Sequence, residues 1–188
     1  MSEWWKHNNS IPLNDLFKND NFKMILEFYL FNCPVVINKK KVCIASKTTL
    51  ESKGWTFGNA NSLLAAMKRA LGKCYQYGCV ALGDIENELY ELKNINQFNF
   101  DREIIIFSKD NNLSKTSAIF YCIRNAFAHG SFSVVNHNSH RIYIFENKNK
   151  GQIKCRFVLN EATLLEWIEL YNSKLSYVKK FGKEVKYK

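Results

Sequence analysis

Three side chains able to do chemistry on a phosphate lie close together in the stretch LSKTSAIFYCIRNAFAHG: Arg124, Asn125 and His129. An imidazole changes charge near neutral pH, so one neutral His accepts a proton and one protonated His donates it. Such a pair suits RNA cleavage: one ring removes the proton of the 2′-OH and the other protonates the departing 5′-oxygen, with neither metal nor cofactor required. The fork-shaped, permanently charged guanidinium of Arg124 suits the scissile phosphate and the charge that builds on its oxygens. Asn125 can orient either group. The stretch holds a single His, so the pair needs a second copy of the chain, and two-fold symmetry supplies twin sets of Arg, Asn and His from identical surfaces.

The element that must position them is a helix, opened by Ser114 as N-cap and stopped by Gly130. With Arg124 at zero and about 100° per residue, Ile119, Phe120, Ile123 and Phe127 fall between roughly 220° and 320°, the stripe for a core. The arc from 0° to about 140° carries Arg124, Ser117, Ala128, Tyr121, Asn125, Ala118 and His129. It holds no Lys or Glu, whereas a merely solvated face fills with long charged residues. Ser117, Ala118, Tyr121 and Ala128 are therefore the expected dimer face. Asn125 and His129 are four apart and neighbours, while Arg124 lies about 140° from His129 and must reach around or serve a partner's site. Plainer roles compete at every position: His129 as a C-terminal dipole partner, Arg124 as a surface ion-pair member, Asn125 as a dimer bridge.

Further candidates are weaker. Tyr121 offers a ring on which a base can stack, Ser131 follows the motif in a stretch that reads as a polar loop, and Lys39, Lys40 and Lys41 form a cationic run able to track phosphates. His137 and His140 fall in the same polar loop, and Trp4, Trp5 and Trp55 are more simply packing residues. Cys74 with Cys79 and His137 with His140 are separated pairs without tetrahedral-site spacing, so no metal is expected. The six cysteines contain no CxxC and read as reduced thiols.

A net charge of +10 over 188 residues, with pI near 9.3, draws the chain toward polyanions. A composition rich in Lys and Asn gives the same excess without any partner. The apolar stretches, MILEFYLF among them, fall short of the roughly 20 residues that span a bilayer. MSEWWKHNNS lacks a signal-peptide pattern. The expectation is a cytoplasmic protein without membrane contact.

Around the motif helix, LNDLFKNDNFKMILEFYLF predicts a helix of about five turns between Pro12 and Pro34. VVINKKKVCIA suggests two short extended pieces. NSLLAAMKRALGKCYQYGCVAL and DIENELYELKNI predict an antiparallel helical pair, and DREIIIFSK is ambiguous between helix and strand. RIYIFEN and QIKCRFVL alternate as strands of a hairpin, and Asn160 caps a last helix, NEATLLEWIELYNSKLSYV, with Leu159 and Leu164 at staple positions. The expected fold is one mainly α (α+β) domain, a helical bundle with a small β-hairpin after the motif helix, its core at about 13–180 and a basic tail at about 180–188.

The string IRNAFAHG resembles the R-polar-x3-H signature of the HEPN superfamily, within its broader Rx4-6H motif. That resemblance implies a compact helical fold, a homodimer, and a metal-independent ribonuclease of the toxin or defence type. It makes Arg124 and His129 catalytic, with Asn125 supporting them. The partners implied are RNA, a second copy and, for a toxin, a cognate antitoxin or partner protein. The alternative is an inactive HEPN module that binds RNA, a nucleotide or a partner protein through the same face. The hairpin lies outside a minimal HEPN core.

Overall fold

Alternating apolar residues make RIYIFEN and QIKCRFVL strands, and in the structure they are the middle of a sheet. The computed structural model describes residues 3–34, 55, 57–88, 94–109 and 113–181. Strands β4 (His140–Asn149) and β5 (Gln152–Asn160) are joined by a two-residue turn with Lys150 at φ 49° and Gly151 at φ 78°. Both turn residues are left-handed, the geometry that matches the twist of a tight hairpin. β2 (Glu103–Phe107) pairs antiparallel with β5, β1 (Tyr75–Cys79) lies parallel to β2, and β3 (Phe132–His137) flanks β4, giving the order β1-β2-β5-β4-β3.

Every residue of β2 is buried, as for a strand covered on both faces. On one face Ile105, Phe107, Tyr143, Phe145 and Phe157 meet the helices α2 (Asp20–Glu27), α3 (Phe57–Ala70), α5 (Lys115–Ala128) and α6 (Glu161–Asn172) in a large aromatic core. Its two indole N–H groups are satisfied: Trp167 Nε1 donates to the Met67 carbonyl at 2.9 Å and Trp55 Nε1 to that of Tyr171 at 3.1 Å. On the other face Ile104, Ile106, Ile142, Ile144 and Val158 pack under Trp4, Ile85 and Ile95, from the N-terminal segment, α4 (Ile85–Glu88) and a 3₁₀ turn, Ile95–Gln97. The same face carries a buried ion pair, Arg156 Nε to Glu146 Oε2 at 2.8 Å, with the guanidinium 4.8 Å from the Trp4 ring.

The sheet overturns the expected helical bundle with a lone hairpin; an α+β description is compatible with it. The helix expected from Asn61 to Leu82 ends at Ala70, and Tyr75–Cys79 pairs as β1 instead. The reversal is fixed by the buried carboxylate of Glu103, which accepts the Gly72 N–H at 2.7 Å and the Asn160 N–H at 2.8 Å. Gly78 permits the close approach of β2, because a Cβ there would meet Ile106 Cδ1 at 2.9 Å. Of the second expected helix, only Ile85–Glu88 is α-helical among the described residues, its last residue Ile95 opening the 3₁₀ turn. The polar loop expected after the motif is β3, with Val134 facing the aromatic core and Val135 the opposite one. The first expected helix is broken into α1 (Leu13–Leu16) and α2, since Asn19 caps α2 by accepting the Phe22 N–H at 2.9 Å; a π-helical turn, Phe28–Asn32, follows. The last becomes α6 and α7 (Leu175–Phe181). No helix of the described residues is long and apolar enough to cross a membrane.

The outer edge of β3 is covered by the N-terminal segment: Ile11 N–H donates to the Val134 carbonyl at 2.8 Å, Ser10 bridges Val135, and Ser133 Oγ donates to the Trp5 carbonyl at 2.6 Å. β3 and β4 meet in a second two-residue turn, Asn138 at φ 47° and Ser139 at φ 66°. Asn tolerates that region and Ser does so less readily. Ser139→Gly is expected to raise stability by about 0.5 kcal/mol, relief of strain outweighing the added freedom of the unfolded chain; a urea midpoint no higher than wild type would refute this.

Candidate functional site

α5 is built as its sequence dictates. Ser114 caps it, its Oγ accepting the Ser117 N–H at 3.0 Å, and Ile119, Phe120, Ile123 and Phe127 are buried in the aromatic core. At the far end His129 is the C-cap and Gly130 turns left-handed at φ 65°. Ser131 N–H then donates to the Ala126 carbonyl at 2.8 Å and Gly130 N–H to that of Phe127 at 3.1 Å, the paired bonds of a Schellman stop. Ser131 is thus part of the stop, half-buried, and its carbonyl accepts the Glu146 N–H at 3.0 Å, which leads the chain into β3. A Cβ on Gly130 would meet nothing within 4 Å, so the cost of Gly130→Ala is purely conformational, about 1 kcal/mol; unchanged denaturation would show that the stop does not depend on glycine.

Ser117, Tyr121 and Arg124 are half-buried and Ala128 is exposed, so the arc within about 60° of Arg124 forms an open line along the helix. Further round, Ala118 is 2% exposed and Asn125 8%, both inside the molecule. Ala118 therefore belongs to the core, and only Ser117, Tyr121 and Ala128 of the expected dimer face meet the surface. His129 lies further round still, yet is exposed, because the helix ends beneath it. Arg124 Nη1 donates to Asn125 Oδ1 at 3.2 Å, so the buried amide braces the guanidinium. The structure thus joins Arg124 with Asn125 and leaves the imidazole of His129 open on another side of the same helix end.

Lys39, Lys40 and Lys41 lie outside the described residues. Trp4 and Trp55 are core residues at 5% and 3% exposure. His137 Nε2 shares a hydrogen bond of 2.8 Å with Asp101 Oδ1, and that contact, first among its causes, holds the Asp101 carboxyl below the usual carboxylate range. Asn138 Nδ2 donates to the same oxygen at 3.3 Å. Among the described residues no group of three or more His, Cys, Asp or Glu gathers as a metal site.

A second polar region was not foreseen. Where the β3–β4 turn meets the start of α6, a cleft of about 260 Å³ opens between Asn136, Ser139, His140 and Arg141 on one side and Glu161, Ala162 and Leu165 on the other. The Glu161 carboxylate accepts from Asn21 Nδ2 at 3.0 Å, Tyr143 Oη at 3.1 Å and Arg141 Nη1 at 3.3 Å. Burial, and then the Glu161 charge, push the Tyr143 phenol up, so it stays a neutral donor. Reading β3 as a strand would have placed Asn136 and Arg141 opposite each other, as their register shows.

Compared with known proteins, the chain matches no family model, no curated protein and no solved structure. The likeness to the HEPN signature therefore stands on the motif string alone.

Proposed function

We propose that the chain is an endoribonuclease that cuts RNA without a metal, at a composite site in which two copies contribute Arg124, Asn125 and His129. The observation that carries this reading is the end of α5: a guanidinium braced on Asn125 at 3.2 Å and an exposed imidazole five residues on, in a chain of net charge +10. Within one copy the two groups diverge around the helix, which is why a second copy is part of the reading. One His129 takes the 2′-OH proton, the 2′-oxygen attacks phosphorus, the bond to the 5′-oxygen breaks, and the other His129 protonates that oxygen. Arg124 offsets the charge gathering on the phosphoryl oxygens. The toxin or defence role comes from the likeness of IRNAFAHG to the HEPN signature, and the sheet leaves that likeness resting on residues, not on fold.

A second reading is a module that holds RNA, a nucleotide or a partner protein through this face without cutting. The burial of Asn125 favours it, since an amide spent on Arg124 has little reach toward a substrate. Incubation of the purified protein with RNA in EDTA separates the two. Cleavage to 2′,3′-cyclic phosphate and 5′-hydroxyl ends is the expected result. RNA shifted in a gel but left intact would establish the second reading instead, and cutting that needs a divalent metal would overturn the first.

A further inference from the structure

The cleft beside the β3–β4 turn has a chemistry of its own. Asn136 and Ser139 line it and have no side-chain hydrogen-bond partner among the described residues, so they offer donors and acceptors to whatever enters. Arg141 and Glu161 are paired across one wall at 3.3 Å, which leaves the lining without net formal charge. An anion there would face the Glu161 carboxylate, and a cation the Arg141 guanidinium. Ala162 and the half-buried Leu165 add apolar surface to the lining, against which a ring can rest. At about 260 Å³ the space lies just under the range of pockets for drug-sized ligands and admits a single small ring system.

A small, uncharged ligand with apolar faces and a hydrogen-bonding rim is a nucleobase. Amides and guanidinium forks are the groups that pair with base edges, Asn with adenine and Arg with guanine, and unpaired bases of single-stranded RNA are read in this way. We infer that the cleft binds one unpaired nucleobase, with the Asn136 amide reading its edge and Leu165 supporting its face. The six residues of β3, at about 3.3 Å each, hold this cleft roughly 20 Å from His129, so it is a second site. A base held there selects RNA by sequence or as single strand. The inference does not depend on whether the α5 site cuts, because it is read by binding alone.

The test uses the full chain carrying His129→Ala, titrated with adenosine, guanosine, cytidine and uridine, with ribose and inorganic phosphate as controls, while the backbone amide signals of Asn136, Ser139, His140 and Ala162 are followed by NMR. The expected result is saturable movement of these signals with one nucleoside preferred over the others by about tenfold, the worth of one good base-edge pair. Asn136→Ala, an exposed strand position, should weaken that binding by about tenfold and leave the rest of the spectrum in place. The inference is overturned if no nucleoside moves these signals, if ribose or phosphate moves them equally, or if Asn136→Ala leaves the affinity unchanged.

Discussion

His129→Ala is expected to lower RNA cleavage by about 10²- to 10⁴-fold, the usual contribution of a positioned acid or base, without disturbing the fold. The side chain is exposed, and the role of this residue in stopping α5 lies in its backbone, whose N–H donates to the Asn125 carbonyl at 3.0 Å. Alanine keeps that bond. Mixing makes the test sharper. If both imidazoles of a dimer are needed, a random equimolar mixture of wild-type and His129→Ala chains retains about a quarter of the activity of all-wild-type protein at the same total concentration. If each copy works alone, about half remains. A mutant that cuts as well as wild type, with circular dichroism unchanged, would remove His129 from the mechanism altogether.

On stability, the largest effect is expected from Glu146→Ala. Glu146 and Arg156 sit opposite each other on β4 and β5, their side chains 2% and 9% exposed, bonded at 2.8 Å beneath Trp4. Removing the carboxylate leaves a guanidinium inside the molecule with, among the described residues, only the 3.7 Å contact to the exposed Glu86 as an ionic partner, and stranding a buried charge in this way costs about 3 to 5 kcal/mol. Lys148, which holds the other carboxylate oxygen at 2.8 Å, is 43% exposed and turns to solvent at little cost. The double variant Glu146→Ala with Arg156→Met should recover most of the loss, because two apolar side chains pack where one orphaned charge cannot. Chemical denaturation of the three variants decides it. A single variant within about 1 kcal/mol of wild type would mean that water reaches the pair and the burial argument fails.

The parts of this fold that sequence made legible are those whose signals are local. Ser114 and Gly130 bound α5 at both ends, and Asn160 starts α6 by accepting the Ala162 N–H at 3.1 Å. The β4–β5 hairpin follows from its alternation and from Lys150-Gly151. What escaped was decided at a distance. Tyr75–Cys79 follows an Ala-, Leu- and Lys-rich helix without a proline, and it becomes a strand because β2 is there to pair with it and Glu103 captures the Gly72 N–H. Phe132–His137 is short and ends in Asn and His, so its burial depends on β4 on one side and on Ser10 and Ile11 on the other. The Asn19 cap that splits α1 from α2 lies within an otherwise helical pattern. At the candidate site, the wheel of α5 set out the open line through Ser117, Tyr121, Arg124 and Ala128, and misplaced Ala118 by treating the open arc as wider than the packing leaves it. The cleft was invisible for a different reason: its walls come from residue 21, residues 136–141 and residues 160–165, and only the fold brings them together.

The strip of chain from Trp5 to Ile11 lies along the last strand of the sheet and occupies main-chain groups that any extended peptide would seek. It works as a selvedge. While it stays in place the fabric cannot be extended by a neighbouring molecule at this margin, and β3, which leads away from the end of α5, keeps a single register. Loosening those few residues would therefore do two things together: bare a sticky margin, and slacken the anchor behind His129.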